Sequence, residues 1–352
     1  MNINHAILHV FDFTSCVNVL SETELDLSSR QTRTFVTGHA RRALANIDNR
    51  RGSFSPESLF AEEVRAYHAG NRDFTALSTQ VAEFIGGELG RQDKPASTDV
   101  LVVDFEEAPE IPAEGADEHE AAAAFAGRAK RYLAVLLLES RQAYMHEAGR
   151  AEDGSVRNGI ARHYAILPNP SQKVASYAVI ELGTLAVLFC DKPRTIAGEQ
   201  RLVIADGLLQ CSVEASGKEV IDAVVRIAEE VADEYGANAA VALSKAKAHV
   251  SEAAAEDEYL APWDMAADVF DDEPLQKRFE EAVAEERLPE RVVVERKVAD
   301  RVAKNHKIRT DTGIEITFPS EYSTSSEFIE FVNAPNGLIN IELKNIGSIE
   351  NR

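Results

Sequence analysis

MNINHAILHVFDFTSCVNVL, residues 1–20, opens the chain with the two-residue rhythm of a β-strand. Ile3, Ile7 and Phe11 fall on one face with His5 and His9 between them, while Ala6, Leu8 and Val10 fall on the other. Successive side chains of an extended backbone point to opposite sides, so this pattern predicts a strand with one face in a core. Thr14 and Ser15 predict a turn into a second short strand over 17–20.

Outward from that strand the period changes to that of helices. One helix is expected over 28–47. A second is expected with Ser55 as its cap and Pro56 at its first position, where the missing N–H costs nothing. Asp73 caps a third, which carries Phe74, Leu77, Val81, Phe84 and Ile85 at helical spacing. Strand signals return at 100–105, 132–138, 163–167, 174–182, 185–189 and 202–204. Between the first two lies an acidic insert, 106–120, with no Lys or Arg, read as a surface loop with an alanine-rich helix after it (106–127 in all). Such a segment cannot bury enough apolar surface to offset its ordering entropy.

A second region is expected from 216 onward. Ser216 and Glu219 have capping-box spacing, with Val220, Val224, Ile227 and Val231 as the apolar stripe behind them. Further helices are predicted over 238–255, 262–270 and 274–286. Ile314, Ile316 and Phe318 then alternate with polar residues, as do Ile339, Ile341 and Leu343, and Asn336-Gly337 is a hairpin signal between 328–332 and 338–343. The fold class is therefore α+β. An N-terminal domain over 1–212 holds a mixed sheet with helices, and a region over 216–352 is helical first and ends in antiparallel hairpins.

The chain has 352 residues, 45% hydrophobic and 27% charged, enough for a sizeable core. Residues 1–10 lack a basic start and a long apolar run, which argues against a secretory signal. No apolar run reaches bilayer length, so no membrane partner is expected. Cys16, Cys190 and Cys211 are isolated, which favours a reducing cytoplasm over a disulfide framework. The net charge of −22 makes the chain as a whole repel nucleic acid, yet its distribution is uneven. Residues 252–290 hold fourteen acids against three bases. Residues 28–51 carry Arg30, Arg33, Arg41, Arg42, Arg50 and Arg51 against Asp48, a local net of +5. Residues 291–309 carry Arg291, Arg296, Lys297, Arg301, Lys304, Lys307 and Arg309 against Glu295 and Asp300, again +5. Such islands can grip phosphates on an otherwise acidic protein. Arg128, Lys130 and Arg131 add to a positive surface only if the fold exposes them.

The catalytic candidates are weak. Asp311-Thr312-Gly313 spells the aspartic-protease triplet, but that chemistry needs two aspartates sharing a proton, hence a homodimer, and the triplet sits where a turn belongs. Glu342-x-Lys344 resembles half of a metal-dependent nuclease motif, with Glu330 the nearest further acid. His5 and His9, four residues apart on a strand, are about 13 Å apart and do not suit one ion. Phosphate loops, dinucleotide fingerprints and nucleophile elbows are absent from the sequence, so neither cofactor, nor metal, nor enzymatic activity is expected.

Several longer segments carry a resemblance: INHAILHVFDF, TELDLSS, GNRDFTALSTQVAEFI, RHYAILPNPSQKVASYAVIEL, VALSKAKAHV, KNHKIRTDTGIEITFP and EFIEFVNAPNGLINIELKNIG. Together, in this order, the chain resembles the bacterial nucleoid-associated protein family of the NdpA/YejK type over almost its entire length. The resemblance implies residence on the bacterial chromosome and no established catalysis, and it supplies no binding residues. The charge pattern alone nominates Arg30, Arg33, Arg41, Arg42, Arg296, Lys297, Arg301, Lys304, Lys307 and Arg309 as DNA-binding residues. The expected function is largely sequence-independent binding of DNA or of DNA-bound chromosome machinery. Two alternatives stand beside it: an acidic scaffold that mimics DNA toward a chromosome-handling enzyme, and the nuclease. The expected partners are DNA, reached directly or indirectly, and chromosome-handling proteins. The sequence leaves open whether the chain forms a homo-oligomer.

Overall fold

The computed structural model describes residues 1–108, 129–150, 154–256, 259–323, 327–333 and 339–348. All but the first three residues of the acidic insert, the alanine-rich segment after it and the Asn336-Gly337 turn lie outside the described residues. The chain forms two compact units, Met1–Glu214 and Ala215–Arg352, and the α+β class expected from the sequence holds.

The first unit contains strands β1 (Asn2–Asp12), β2 (Val17–Val19), β3 (Arg50–Gly52), β4 (Thr98–Glu107), β5 (Lys130–Glu139), β6 (Arg141–Arg150), β7 (Val156–Ile166), β8 (Ser176–Glu181), β9 (Val187–Cys190), β10 (Arg194–Ile196) and β11 (Glu199–Arg201). Seven of them make one antiparallel sheet in the order β2-β1-β4-β5-β8-β9-β3. Helix α1 (Arg30–Leu44) covers one face, and α2 (Leu59–His68) and α3 (Phe74–Gly90) cover the other. The central strands are therefore buried on both sides, which is why VLVV and LAVLLL read as unbroken apolar runs instead of alternating. Each fully buried Val or Leu there contributes about 1.5–3 kcal/mol.

In the first unit four expectations need correction. Ile7 and Phe11 do face the α2–α3 core with buried His9, but a β-bulge between Ile3 and His5 shifts the register, and Ile3 joins Ala6 and Leu8 on the α1 side. One extra residue moves every side chain before it to the opposite face. The second helix begins three residues later than expected. Ser58, not Ser55, caps it by accepting from the Ala61 N–H (3.3 Å), and Pro56 sits in a preceding turn closed by Ser58 N–H to the Ser55 carbonyl (3.0 Å). The segment over 202–204 is not a strand. It starts a π-helical turn, Val203–Leu209, because the Asp191 carboxylate captures the N–H groups of Ile204 (2.6 Å) and Ala205 (3.2 Å). The strand expected over 163–167 is longer, and the sequence reading omitted its partner β6. Elsewhere local chemistry is as read. Asp73 caps α3 through the Ala76 N–H (3.1 Å), and Gly86 on α3 leaves room for the Phe11 ring, into which a Cβ would run.

The second unit begins with α4 (Gly217–Glu234) and α5 (Ala239–Glu256). The capping box is present: Ser216 Oγ accepts from Glu219 N–H (3.1 Å) and the Glu219 carboxylate accepts from Ser216 N–H (2.9 Å). The helix expected over 262–270 is a 3-10 turn, Pro262–Met265, running into the short α6 (Ala266–Val269). Then come α7 (Glu273–Glu285) and α8 (Arg296–Val302). Strands β12 (Tyr259–Leu260) and β13 (Val292–Val293) pair, and β14 (Asn305–Arg309) pairs with β15 (Glu315–Pro319). Asp311-Thr312-Gly313 is the connecting turn, closed by Thr310 N–H to the Ile314 carbonyl (2.9 Å), with Gly313 at φ +89°. Strands β16 (Ile329–Asn333) and β17 (Ile339–Leu343) form the last hairpin.

Candidate nucleic-acid interface

Helix α1 forms because Ser29 accepts from the Thr32 N–H (3.4 Å) and because Val36, His39, Ala40 and Ala43 share one face against the sheet. That leaves Arg30, Arg33, Arg41 and Arg42 exposed. Arg30 and Arg41 lie nearly one above the other, about 16 Å apart along the axis. Among the described residues Arg30, Arg33 and Arg41 form no ion pair, so their charges face solvent uncompensated.

The helix is held from outside by the chain that follows β7. His39 Nε2 donates to the Pro168 carbonyl (3.1 Å), Arg42 donates to the Pro170 carbonyl (3.4 Å), and a Cβ on Gly38 would stand 2.7 Å from Pro170 Cβ. Burial lowers the His39 pKa from its usual 6.5, outweighing the Pro168 carbonyl, which raises it. At the far end of α1 the buried Tyr177 hydroxyl accepts from Asn46 (2.6 Å) and donates to Asn49 Oδ1 (2.7 Å). The arginines thus stand on a fixed rod. Arg50 and Arg51 of the same island lie apart from it on β3, half-buried and with partners of their own.

The second island is divided. Arg296, Lys297 and Arg301 project from α8, whose Val298 and Ala299 face inward, and Lys304 follows in the exposed connection. Lys307 and Arg309 on β14 flank Glu315 of β15 at 2.8 and 3.9 Å, which offsets part of their charge. Behind them His306 is buried, and burial together with nearby Lys247 lowers its pKa to about 4. The two islands belong to different units. Lys130 and Arg131 are not free surface charges: Lys130 pairs with Glu181 (3.0 Å), and Arg131 with the fully buried Asp104 (2.6 Å).

The other candidate groups do not assemble. His5 pairs with Glu24 (3.0 Å), whereas His9 accepts from the Ser21 N–H (3.1 Å) and donates to Ser78 (3.3 Å). Glu330 stands opposite Glu342 across the last hairpin, and Lys344 is bonded to Glu330. Among the described residues no group of three or more His, Cys, Asp or Glu side chains is placed to hold a metal ion. No helix among them is long and apolar enough to cross a membrane.

The sequence reading caught only the end of one further positive element. The strands β6 and β7 form a ribbon carrying Arg141, Arg150, Arg157 and Arg162. Its signal was present as YMHEAGR and VRNGIARHYAI, but alternation there separates two exposed faces, not a core from solvent, so no apolar stripe marks it.

Fold and surface together define a two-unit α+β protein in whose first unit a sheet-docked helix and a two-stranded ribbon each carry exposed arginines. Residues 7–350 match the NA37 family, described as nucleoid-associated protein YejK, and the chain belongs to that family. A comparison with curated proteins gives no match.

Proposed function

We propose that this nucleoid-associated chain acts as a binding protein that contacts DNA directly through the first unit, mainly at phosphates and with little sequence selectivity. The observation that carries the proposal is the uncompensated set Arg30, Arg33 and Arg41 on a helix fixed by Val36, His39 and Ala40. Guanidinium groups held in place and free of carboxylates are the chemistry that exchanges with condensed counterions on DNA. Phosphate contacts orient a protein on the duplex without reading bases. Arg42, Arg296, Lys297, Arg301 and Lys304 are secondary contacts in this reading, and Lys307 and Arg309 weaker ones because of Glu315.

The acidic-scaffold reading gains less support. Acids of 252–290 are engaged by side chains of the same unit, as in Arg226–Glu286 (2.7 Å), Arg278–Glu285 (3.5 Å), Lys245–Asp271 (3.2 Å) and His249–Asp268 (2.7 Å). A mobility-shift titration of the full chain over a salt series tests direct binding. The expected log–log plot of affinity against salt falls steeply. A flat plot, or no shift at 50 mM salt, overturns the proposal.

A further inference from the structure

The β6–β7 ribbon is built unlike the rest of the first unit. It arises between β5 and β8, which are neighbours in the sheet, so the chain leaves the sheet at Ser140 and returns at Ser176. Its strands pair from Arg141↔Ile166 to Arg150↔Val156. Both faces of the ribbon are open: Ile160 is 81% exposed, Val156 77% and Tyr144 71% on one, and Met145 51% on the other. The register places Tyr144, His146 and Arg150 on one face with Val156, Ile160, Arg162 and Tyr164. On that face the Arg162 guanidinium lies over two rings, 5.7 Å from the Tyr144 centroid and 4.9 Å from that of Tyr164, and it also donates to Gln142. None of the four ribbon arginines forms an ion pair among the described residues, and Glu147 is the one acid on the described strands. Two more acids, Glu152 and Asp153, fall in the connection outside the described residues.

We propose that this ribbon is an arm that seats in the major groove of duplex DNA, with Tyr144, Arg162 and Tyr164 as its contact cluster. The inference rests on the reading that the chain binds DNA directly, and it names the element that enters a groove. Charge chooses the occupant. A second copy laid on the same face would bring further arginines toward Arg150 and Arg162, with no acid on that face of the described strands to offset them. Against DNA the same arginines meet phosphates and base edges. Size chooses the groove. Ten residues at about 3.3 Å each give an arm of about 33 Å, and a two-stranded ribbon fits an undistorted major groove about 12 Å wide, whereas a minor groove of about 6 Å would first have to be widened. Position supports both choices. The chain leaving β7 runs directly onto α1, where Pro168 and Pro170 meet His39 and Arg42, so the root of the arm adjoins the helix with the free arginines.

The test is fluorescence anisotropy of the full chain on a 30-base-pair duplex, comparing wild type, Arg150→Glu/Arg157→Glu, Tyr144→Ser/Arg162→Ser and Arg30→Glu/Arg33→Glu/Arg41→Glu. The expected result is at least a tenfold loss of affinity in each ribbon variant, with an unchanged melting temperature because these side chains are exposed. Loss of Arg150 and Arg157 should also make the salt slope shallower by about 2. Methyl green, which occupies the major groove, should compete, and netropsin, which occupies the minor groove, should not. Unchanged affinity in the ribbon variants beside a loss in the α1 variant overturns the arm while direct binding stands. No binding by wild type at 50 mM salt overturns the direct-binding reading and the arm with it. Competition by netropsin alone overturns the groove. A wild-type dimer that Ile160→Glu dissociates, as read by sedimentation, overturns DNA as the occupant.

Discussion

The two basic islands have the same net charge in the sequence and opposite fates in the fold. Four of the six arginines of the first stand on a fifteen-residue helix whose inner face is buried against the sheet, while Arg50 and Arg51 lie on β3. The second is spread over a seven-residue helix, a connection and a strand, where Lys307 and Arg309 share Glu315. Each island is backed by a buried histidine, His39 in the first and His306 in the second. His39 has a carbonyl partner, but neither ring nitrogen of His306 has a hydrogen-bond partner among the described residues. A local charge count therefore says how much charge a segment carries, whereas the element beneath it decides how much of that charge is available.

The comparison can be broken most forcefully by charge reversal. Arg30→Glu/Arg33→Glu/Arg41→Glu should weaken DNA binding about 10²–10³-fold near 50 mM salt, as expected for three lost phosphate contacts. The matching Arg296→Glu/Arg301→Glu/Lys304→Glu variant should cost less, and an equal or larger loss in parallel titrations would reverse the ranking of the islands. Acid comes next. The His306 pKa falls from 6.5 to about 4 on folding. Its neutral form is therefore favoured by the fold, and the associated stability is complete above pH 6.5 and lost as pH falls toward 4. The loss amounts to about 3 kcal/mol. Denaturant unfolding of the second unit, followed through Trp263, should show this slope, and His306→Phe should flatten it.

A smaller effect sharpens the docking of the first island. Gly38→Ala places a methyl group 2.7 Å from Pro170 Cβ. It should lower stability by about 1–3 kcal/mol, because either α1 or the 168–170 segment must shift. A melting temperature equal to that of wild type would show that α1 and the 168–170 segment part without cost. The smallest effect is expected from Glu315→Gln, which frees Lys307 and Arg309. Affinity for DNA should rise no more than a few-fold, in keeping with the roughly 0–1 kcal/mol of an exposed ion pair. A gain above tenfold would promote the second island.

Much of the fold was legible in the sequence. The central strands announced themselves by runs of Val and Leu that only double-sided burial explains, and Asp73, Ser216 and Glu219 marked helix starts through their own hydrogen bonds. What escaped depended on contacts distant in sequence. The bulge that turns Ile3 over is set by pairing with β4, and Ser58 outcompetes Ser55 as a cap while donating to the Leu209 carbonyl (2.8 Å), 151 residues away. The strand-like 202–204 segment yields to Asp191, whose carboxylate is brought there by β9. For the candidate site, the identity of the α1 arginines could be read, but their freedom from carboxylates could not. Of the ribbon only the end of β7 was read, because an element with two exposed faces has no apolar stripe.

The clasp of Pro168 and Pro170 on α1 also bears on the order in which the protein can be assembled during synthesis. Strand β1 has only the short β2 to pair with until β4, some ninety residues later, has left the ribosome, and α1 lacks its outer restraint until residue 170 has been made. Domains emerging at about 5–20 residues per second would leave this arginine-bearing segment undocked for roughly 6–30 seconds. In a cell crowded with polyanions, the most basic stretch of the first unit would be available to nucleic acid before the sheet that fixes it exists.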